Sequence, residues 1–185
     1  MKKIIGLTGG MLSGKTEVLK IFRRLGAGVL SADEIVAALL QTAAVQKILI
    51  REFGVSDKES LKKILCSPAS RKKLENILHP LVRREGAKII KSMRAGVIVY
   101  EVPLLFEAGW AEDFDLTLCM ISDGENRAAR LKKRGIDNKD FEVRSKAQMP
   151  PAQKAALADI VVINGGSLKD LEAKIKKFYK FITEK

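Results

Sequence analysis

The sequence predicts an α/β fold in which a mainly parallel five-stranded sheet is covered by helices on both faces. Five short apolar runs of strand length alternate along the chain with segments whose apolar residues recur at helical spacing. Such alternation is typical of parallel strands joined by helical crossovers. The 185 residues are enough for one domain with insertions. The 46% apolar and 30% charged content excludes disordered, collagen-like and disulfide-rich proteins.

The predicted strands are short apolar runs that end at glycine, proline or polar turn residues. Gly9 and Gly10 stop the first run, Pro103 follows the third, and Asn164 follows the last. Runs without polar alternation are expected for strands that are buried on both faces. The predicted strands are Lys3–Thr8, Val29–Ser31, Gly96–Val102, Leu116–Ile121 and Ile160–Ile163.

Helices are predicted between the strands from apolar residues spaced three or four positions apart. Pro80 is expected to begin a new helix, since proline is favoured at the first helical position. Ser167 and Asp170 have the spacing of a helix-capping pair, and Leu168 is expected on the apolar face of the helix that follows. The predicted helices span about residues 15–25, 33–40, 45–53, 58–65, 67–78, 80–94, 124–134, 138–148, 151–158 and 168–182.

Charge and cysteine content limit the partners and the compartment. The 34 lysines and arginines exceed the 22 acidic residues, which gives a formal charge of +12. Such a charge favours polyanionic partners: nucleic acid, acidic lipid or phosphorylated small molecules. Cys66 and Cys119 lie far apart without a neighbouring histidine, so neither a disulfide nor a zinc site is indicated, and a cytoplasmic location is expected. No apolar run is long enough for a membrane span.

A glycine-rich segment between the first strand and the first helix satisfies the phosphate-loop pattern G-x-x-x-x-G-K-[ST]. Backbone N–H groups in such a loop converge on phosphate oxygens, and the helix N-terminus adds partial positive charge. This context predicts a three-layer P-loop NTPase fold that binds ATP and Mg²⁺, against the alternative of a plain glycine-rich turn. Lys15 is expected to reach the β- and γ-phosphates, and the Thr16 hydroxyl to ligate Mg²⁺. The loop consists of Gly9, Gly10, Met11, Leu12, Ser13, Gly14, Lys15 and Thr16.

Further candidate residues follow the carboxyl ends of the other strands, where ligands collect in open α/β sheets. Asp33 follows the second strand, where it could act as a general base or orient Mg²⁺, or serve only as a helix N-cap. The loop Pro103–Glu107 follows the third strand and is apolar apart from its last residue. Asn164 and Gly165 follow the last strand, where they could contact adenine or simply form a turn.

Basic residues concentrate in the segment after the fourth strand. They are either a solvated helix face or an arginine-rich lid over ATP, which stabilises the transferring phosphate in small kinases. The arginines of this segment are Arg127, Arg130, Arg134 and Arg144. The sole histidine, His79, is expected to be a helix-boundary or packing residue rather than a catalytic base. Arg83 and Arg84, one turn later, are better candidates for binding an acidic substrate.

Several motifs, in order along residues 3–166, resemble those of the dephospho-CoA kinase family. The two most specific are His79-Pro80-Leu81-Val82-Arg83 and Val102-Pro103-Leu104-Leu105-Phe106-Glu107. The other matching residues are Leu7 to Thr16, Ala32 with Asp33, Leu74 with Glu75, Arg130 with Arg134, Arg144 with Gln148, Ala158 with Asp159, and Ile163 with Asn164.

The resemblance implies transfer of the ATP γ-phosphoryl group to the ribose 3′-hydroxyl of dephospho-CoA. It implies Asp33, Lys15 and Arg134 as catalytic residues, and Thr16 as the metal ligand. Besides the phosphate loop, the implied ATP-binding residues are Arg130, Arg144, Asn164 and Gly165. The implied acceptor-binding residues are Asp33, His79, Arg83, Leu104, Leu105 and Glu107.

The same resemblance implies a single kinase domain over residues 1–185. Its core would comprise about 1–57, 96–123 and 159–185, with a helical CoA-binding insertion at about 58–95 and a lid at about 124–158. Small-molecule substrates are then the expected partners, rather than nucleic acid or a membrane.

The chain departs from the family pattern at Leu12, Ser31 and Arg127, and in a shortened segment after Gly54. The shortened segment bears on acceptor affinity more than on nucleotide binding. Two other functions stay open. One is a P-loop kinase for a nucleoside or nucleotide. The other is a basic nucleic-acid-binding protein with a vestigial nucleotide site, although no nucleic-acid-binding motif is present.

Overall fold

A computed structural model describes most of the chain. The described residues are 2–55, 57–64, 67–122, 127, 130–132, 135, 137, 141–142 and 145–184, with the side chains of 58, 62 and 64 left aside. The backbone divides into two compact units, one formed by residues 1–30 with 94–185 and the other by residues 31–93. The helical insertion expected at 58–95 falls mainly in the second unit, which also contains the two helices before it.

Five strands form one sheet in the order β2-β3-β1-β4-β5, which confirms the predicted sheet. The pairings of β1 with β3, β1 with β4, and β4 with β5 are all parallel. β1 therefore lies at the centre, with a hydrogen-bonded neighbour on each side. The strands are β1 (Lys3–Gly9), β2 (Gly28–Ser31), β3 (Val97–Glu101), β4 (Leu116–Ile121) and β5 (Ile160–Ile163).

Helices cover both faces of the sheet in the first unit. α1 (Lys15–Arg24) and the C-terminal α7 (Leu168–Thr183) pack on the face that carries Ile5 and Leu7, because alternate residues of a strand point to the same side. Phe22 of α1 meets the edge of Phe178 of α7, with ring centroids 6.2 Å apart. α6 (Pro151–Leu157) contacts β1 and β4, near Cys119 on the other face.

The start of α7 agrees with the sequence, but one residue of its predicted apolar face does not. Ser167 accepts a hydrogen bond from the Asp170 N–H and Asp170 accepts one from the Ser167 N–H, which is the predicted capping box. Leu168, however, is 67% exposed, because it occupies the first turn, beyond the reach of the core. The buried residues of this helix are Leu171, Ile175, Phe178 and Ile182.

The second unit is helical, and its longest helix corrects a prediction. α5 runs without interruption through Pro80, so neither Pro80 nor His79 marks a helix boundary. Pro80 lacks an N–H for the ladder. Nevertheless Leu74, Leu78 and Val82 are buried at intervals of four residues, and this common packing face outweighs the local helix-breaking signal. The helices are α2 (Ala32–Leu40), α3 (Ala43–Phe53), α4 (Lys58–Ile64) and α5 (Pro68–Ser92).

The predicted lid helices fall largely outside the described residues. Arg127, the range 130–132 and the pairs 141–142 and 145–146 are helical, in agreement with the helices expected around them. None of the helices in the described part of the chain is both long and apolar enough to cross a membrane.

Candidate active site

The phosphate loop joins β1 to α1, as its motif predicts. Gly9 and Gly14 have φ values of 143° and 101°, and Leu12 has a φ of 62°, all in the left-handed range. Gly14 is the N-cap of α1, and the helical ladder starts where the N–H groups of Glu17 and Val18 donate to Gly14 O. The first turn of a helix has no intrahelical acceptors for its leading N–H groups, and this arrangement suits the binding of an anion.

Two of the glycines are required by close neighbours as well as by backbone conformation. A Cβ on Gly9 would collide with the carbonyl oxygen of Met120 in β4. A Cβ on Gly14 would collide with the side-chain amide of Asn164. The loop thus lies directly against the ends of β4 and β5.

Four carbonyl groups of the loop accept hydrogen bonds from cationic or amide side chains. Lys15 Nζ donates to Gly9 O and Gly10 O, each at 3.1 Å. Arg130 Nη1 donates to Leu12 O at 2.9 Å, and Asn164 Nδ2 donates to Ser13 O at 2.9 Å. These donors fix the orientation of the four loop carbonyl groups.

Arg130 is the one arginine of the predicted lid whose contacts with the loop are seen in the described part of the chain. The same Nη1 atom is 3.1 Å from Ser122 Oγ at the end of β4. Arg134 and Arg144 lie outside the described residues, so their predicted roles are not tested. Gly165 is exposed directly after Asn164. The side-chain N–H group of Asn164 is committed to Ser13 O.

Glu101 is a further candidate residue that the sequence reasoning did not name. It ends β3, is only 9% exposed, and is paired with Leu7 just before the phosphate loop. The signal was present, since an acid that follows four apolar residues at the end of such a strand is a typical partner of Mg²⁺ beside a phosphate loop.

Of the Pro103–Glu107 loop, Leu105 faces the interior of the first unit and the other four residues are partly exposed. Leu105 is fully buried, and its side chain fills the space beside Gly6 of β1. Glu107 Oε1 accepts a hydrogen bond from the Met149 N–H at 2.8 Å and lies 2.9 Å from Lys154 Nζ. Leu104 is partly exposed, so it is the leucine of this loop that a ligand could reach.

Asp33, His79 and Arg83 belong to the second unit. Asp33 is the second residue of α2 and is exposed, whereas Ser31 occupies the N-cap, so the N-cap alternative for Asp33 is wrong. His79 and Arg83 are four residues apart on α5 and share a helix face. Partial burial lowers the pKa of His79 below its ordinary value, which favours the neutral imidazole.

Comparisons with known proteins point to one enzyme family. A family model described as dephospho-CoA kinase matches residues 3–170. A dephospho-CoA kinase of Frankia casuarinae is 35% identical over 188 residues, which cover 95% of this chain and 82% of the relative. A crystal structure of a Thermus thermophilus protein has a TM-score of 0.83 at 34% identity and covers 97% of each chain.

A more distant structure supports the fold. The dephospho-CoA kinase of Campylobacter jejuni has a TM-score of 0.70 at 22% identity, with 100% of this chain and 98% of that chain covered. The parallel sheet, the phosphate loop after its central strand and the full-length match together confirm the predicted P-loop NTPase fold. On its sequence match over residues 3–170, the chain belongs to the dephospho-CoA kinase family.

Proposed function

We propose that this protein transfers the γ-phosphoryl group of ATP to the ribose 3′-hydroxyl of dephospho-CoA, giving coenzyme A and ADP. The observation that carries the proposal is the phosphate loop, whose carbonyls are held by Lys15, Arg130 and Asn164. The family relation supplies the acceptor, because the relatives that match nearly the whole chain are dephospho-CoA kinases.

Lys15 changes partners when ATP binds. Its ammonium group now donates to Gly9 O and Gly10 O, which lie in the loop that would surround the phosphates. A γ-phosphate oxygen is a better acceptor than a peptide carbonyl, since it is charged. Lys15 therefore moves a short distance to the β- and γ-phosphates, where it stabilises negative charge during transfer.

The residues around the loop fit a magnesium ion. Thr16 offers an exposed hydroxyl at the start of α1, and Glu101 offers a buried carboxylate at the end of β3. No group of three or more His, Cys, Asp or Glu side chains among the described residues could hold a metal by itself. In kinases, Mg²⁺ usually takes only one or two ligands from the protein, because phosphate oxygens and water supply the others. When bound, Mg²⁺ neutralises charge on the β- and γ-phosphates.

Asp33 is the proposed general base. Its exposed carboxylate takes the proton of the acceptor hydroxyl as the hydroxyl oxygen forms its bond to the γ-phosphorus. The bond between the γ-phosphorus and the bridging oxygen breaks, and the electron pair leaves with ADP. Arg130 at the loop, with Arg134 and Arg144 from the lid segment, supplies positive charge to the nucleotide.

The proposed acceptor-binding residues follow from the family resemblance. Arg83 offers an exposed cation for an acceptor phosphate, and the neutral imidazole of His79 on the same helix face can donate or accept a hydrogen bond. Leu104 offers partly exposed apolar surface.

The free and buried Cys119 thiol is consistent with a cytoplasmic location.

The test is a turnover assay with Mg²⁺ and ATP that measures ADP release and the product mass. Dephospho-CoA is compared with adenosine, AMP and buffer alone, and we expect ADP release above the blank only with dephospho-CoA. The product should be heavier by one phosphoryl group and should co-elute with authentic coenzyme A. Release of ADP with adenosine or AMP instead would assign a different acceptor, and retention on RNA without turnover would favour the nucleic-acid alternative.

A further inference from the structure

Lys154 is a fully buried cation that the proposed chemistry does not use. It lies on α6 with 0% of its surface exposed. Its ammonium group donates a hydrogen bond to Pro103 O and lies 2.9 Å from Glu107 Oε1. Burying a charge is costly unless it is paired and hydrogen-bonded, and both conditions are met here.

Glu107 is the anionic partner and makes a second link. The oxygen that faces Lys154 also accepts the Met149 N–H at 2.8 Å, just before α6. Its other oxygen, Oε2, is buried without a hydrogen-bond partner among the described residues. The carboxylate is thus committed to Lys154 and Met149.

The pair is joined to the phosphate loop through two neighbours. Pro103 O, which accepts from Lys154, also accepts from Thr8 Oγ1 at 3.3 Å, and Thr8 directly precedes the loop. Pro151, the first residue of α6, has its Cγ only 3.0 Å from the position that a Cβ on Gly10 would occupy. One end of the loop therefore rests against the segment that Lys154 and Glu107 hold in place.

We propose that Lys154 and Glu107 are a positioning pair for phosphoryl transfer: they fix Pro103 and Pro151, and through them Thr8 and Gly10 at the start of the phosphate loop. The inference rests on the proposed function. The inference also goes beyond the proposed function, because it gives Glu107 a structural role inside the first unit in place of the acceptor-binding role that the resemblance implies. A buried ion pair is weak support for stability, since apolar residues of similar volume often serve as well. Here the ion pair instead holds the Pro103 carbonyl group and the phosphate loop in position.

The test compares charge-neutral variants of similar size: Lys154→Met, Glu107→Gln, and the two combined. Lys176→Met is the matched control, because Lys176 lies on α7 in an exposed pair with Glu172 at 3.0 Å. Three quantities are measured: kcat and KM for ATP, the midpoint of denaturant unfolding, and the emission maximum of Trp110. Trp110 is the sole tryptophan and is 6% exposed, and its backbone N–H donates to Leu105 O of the Pro103–Glu107 loop.

We expect Lys154→Met to lower kcat by about 10²-fold, since a displacement of about 1 Å at a reacting group can cost that much. The KM for ATP should change by less than about threefold, because most loop N–H groups still bind phosphate. Trp110 emission should shift to longer wavelength as the loop loosens. The control should leave all three quantities unchanged.

The double variant separates positioning from stability. Removing both charges leaves no unpaired buried ion, so the unfolding midpoint should recover towards that of the wild type. The kcat should stay low, because methionine cannot donate to Pro103 O. Recovery of kcat together with stability would overturn the proposal, as would normal kcat and emission in a folded Lys154→Met protein. If the wild type does not phosphorylate dephospho-CoA, the proposed function fails. The positioning role of Lys154 and Glu107 is then tested through slow ATP hydrolysis, in which the γ-phosphoryl group passes to water, and the same loss of kcat is expected.

Discussion

At the scale of single residues, Leu12 of the phosphate loop has an unusual backbone conformation, with a φ of 62°. A bulky L-residue in the left-handed region costs roughly 1–2 kcal/mol relative to the ordinary helical region. Leu12 keeps this conformation with its side chain buried and its carbonyl bonded to Arg130. Leu12, which departs from the family pattern, therefore combines a strained backbone with a buried side chain.

The strain predicts an inverted order of stability at this position. Leu12→Ala and Leu12→Gly lose the same side-chain packing, but only glycine removes the penalty of a positive φ. We expect the unfolding free energy of Leu12→Gly, measured with denaturant, to exceed that of Leu12→Ala by about 1 kcal/mol. At Met11, which is not among the residues with positive φ, the alanine variant should be the more stable one. An alanine advantage at both positions would contradict the assigned strain.

Lys15 carries the positive charge that the loop delivers to the transferring group. Replacing it with alanine should lower kcat by about 10²-fold or more, by analogy with the loss of one preorganised donor in an active site. Lys20→Ala on the same helix is the control, because Lys20 is exposed and paired with Glu17. Steady-state ADP release measures both. A Lys15→Ala protein with near-normal turnover would exclude the proposed role of the loop.

Asp33 is tested by separating turnover from nucleotide affinity. Asp33→Asn keeps the size of the side chain but removes its basicity, so turnover should fall by about 10²-fold. The dissociation constant for ATP, measured by calorimetry, should hardly change, because Asp33 acts on the acceptor. Glu34→Gln, an exposed neighbour in the same helical turn, should leave turnover intact. Unchanged turnover in Asp33→Asn would reduce that carboxylate to a helix-dipole contact.

At the scale of elements, β5 is joined to β4 by a side chain as well as by the backbone ladder. Asp159, directly before β5, accepts hydrogen bonds from the Thr117 hydroxyl and the Thr117 N–H, both at 2.7 Å. The hydroxyl and then the N–H hold the pKa of Asp159 below its ordinary value of 3.8. The charged carboxylate is therefore the form that stabilises the edge of the sheet.

This linkage predicts a pH dependence of stability with a definite sign. The folded-state pKa lies below the unfolded one, so the contribution of Asp159 is complete above the unfolded value near 3.8 and is lost as pH falls through the folded value. Asp159→Asn should be less stable at neutral pH, and its unfolding free energy should vary less with pH below about 4. Urea unfolding between pH 7 and pH 3 measures this. Parallel pH profiles for both proteins would rule out the linkage.

At the scale of the whole molecule, the charge of +12 acts on how ligands arrive. Long-range attraction of polyphosphates is screened by salt, whose Debye length is about 10 Å at 0.1 M. We expect kcat/KM for ATP to fall several-fold between low and high ionic strength, with kcat changing far less. Changing the exposed Lys169 and Lys177 to glutamate, which lowers the charge to +8, should flatten this dependence. Arginine at both positions should preserve it.

Much of the fold was predictable because its signals are local. The five strands are uninterrupted apolar runs, and the Ser167–Asp170 box marks the start of α7 within four residues. The break expected at Pro80 was wrong because its correction depends on packing along α5, which one residue does not reveal.

Predictability of the site follows the same division. The loop motif names its own residues, whereas the donors that hold its carbonyls come from far along the chain. Arg130 reaches Leu12 and Asn164 reaches Ser13 across separations of 118 and 151 residues. Arg130 and Asn164 were expected at the nucleotide, but their bonds to the loop backbone depend on tertiary structure. Glu107 was expected to face the acceptor, and only the fold reveals Lys154 beside it.

The central place of β1 has a consequence for the lifetime of the nucleotide site. The strand that leads into the phosphate loop is bonded to β3 on one side and to β4 on the other. Its amide hydrogens can exchange with solvent only when the sheet opens, so they should be among the slowest in the protein. The loop therefore emerges from the part of the chain that unfolds last, and partial opening at the sheet edges or in the helical unit leaves the start of the loop intact.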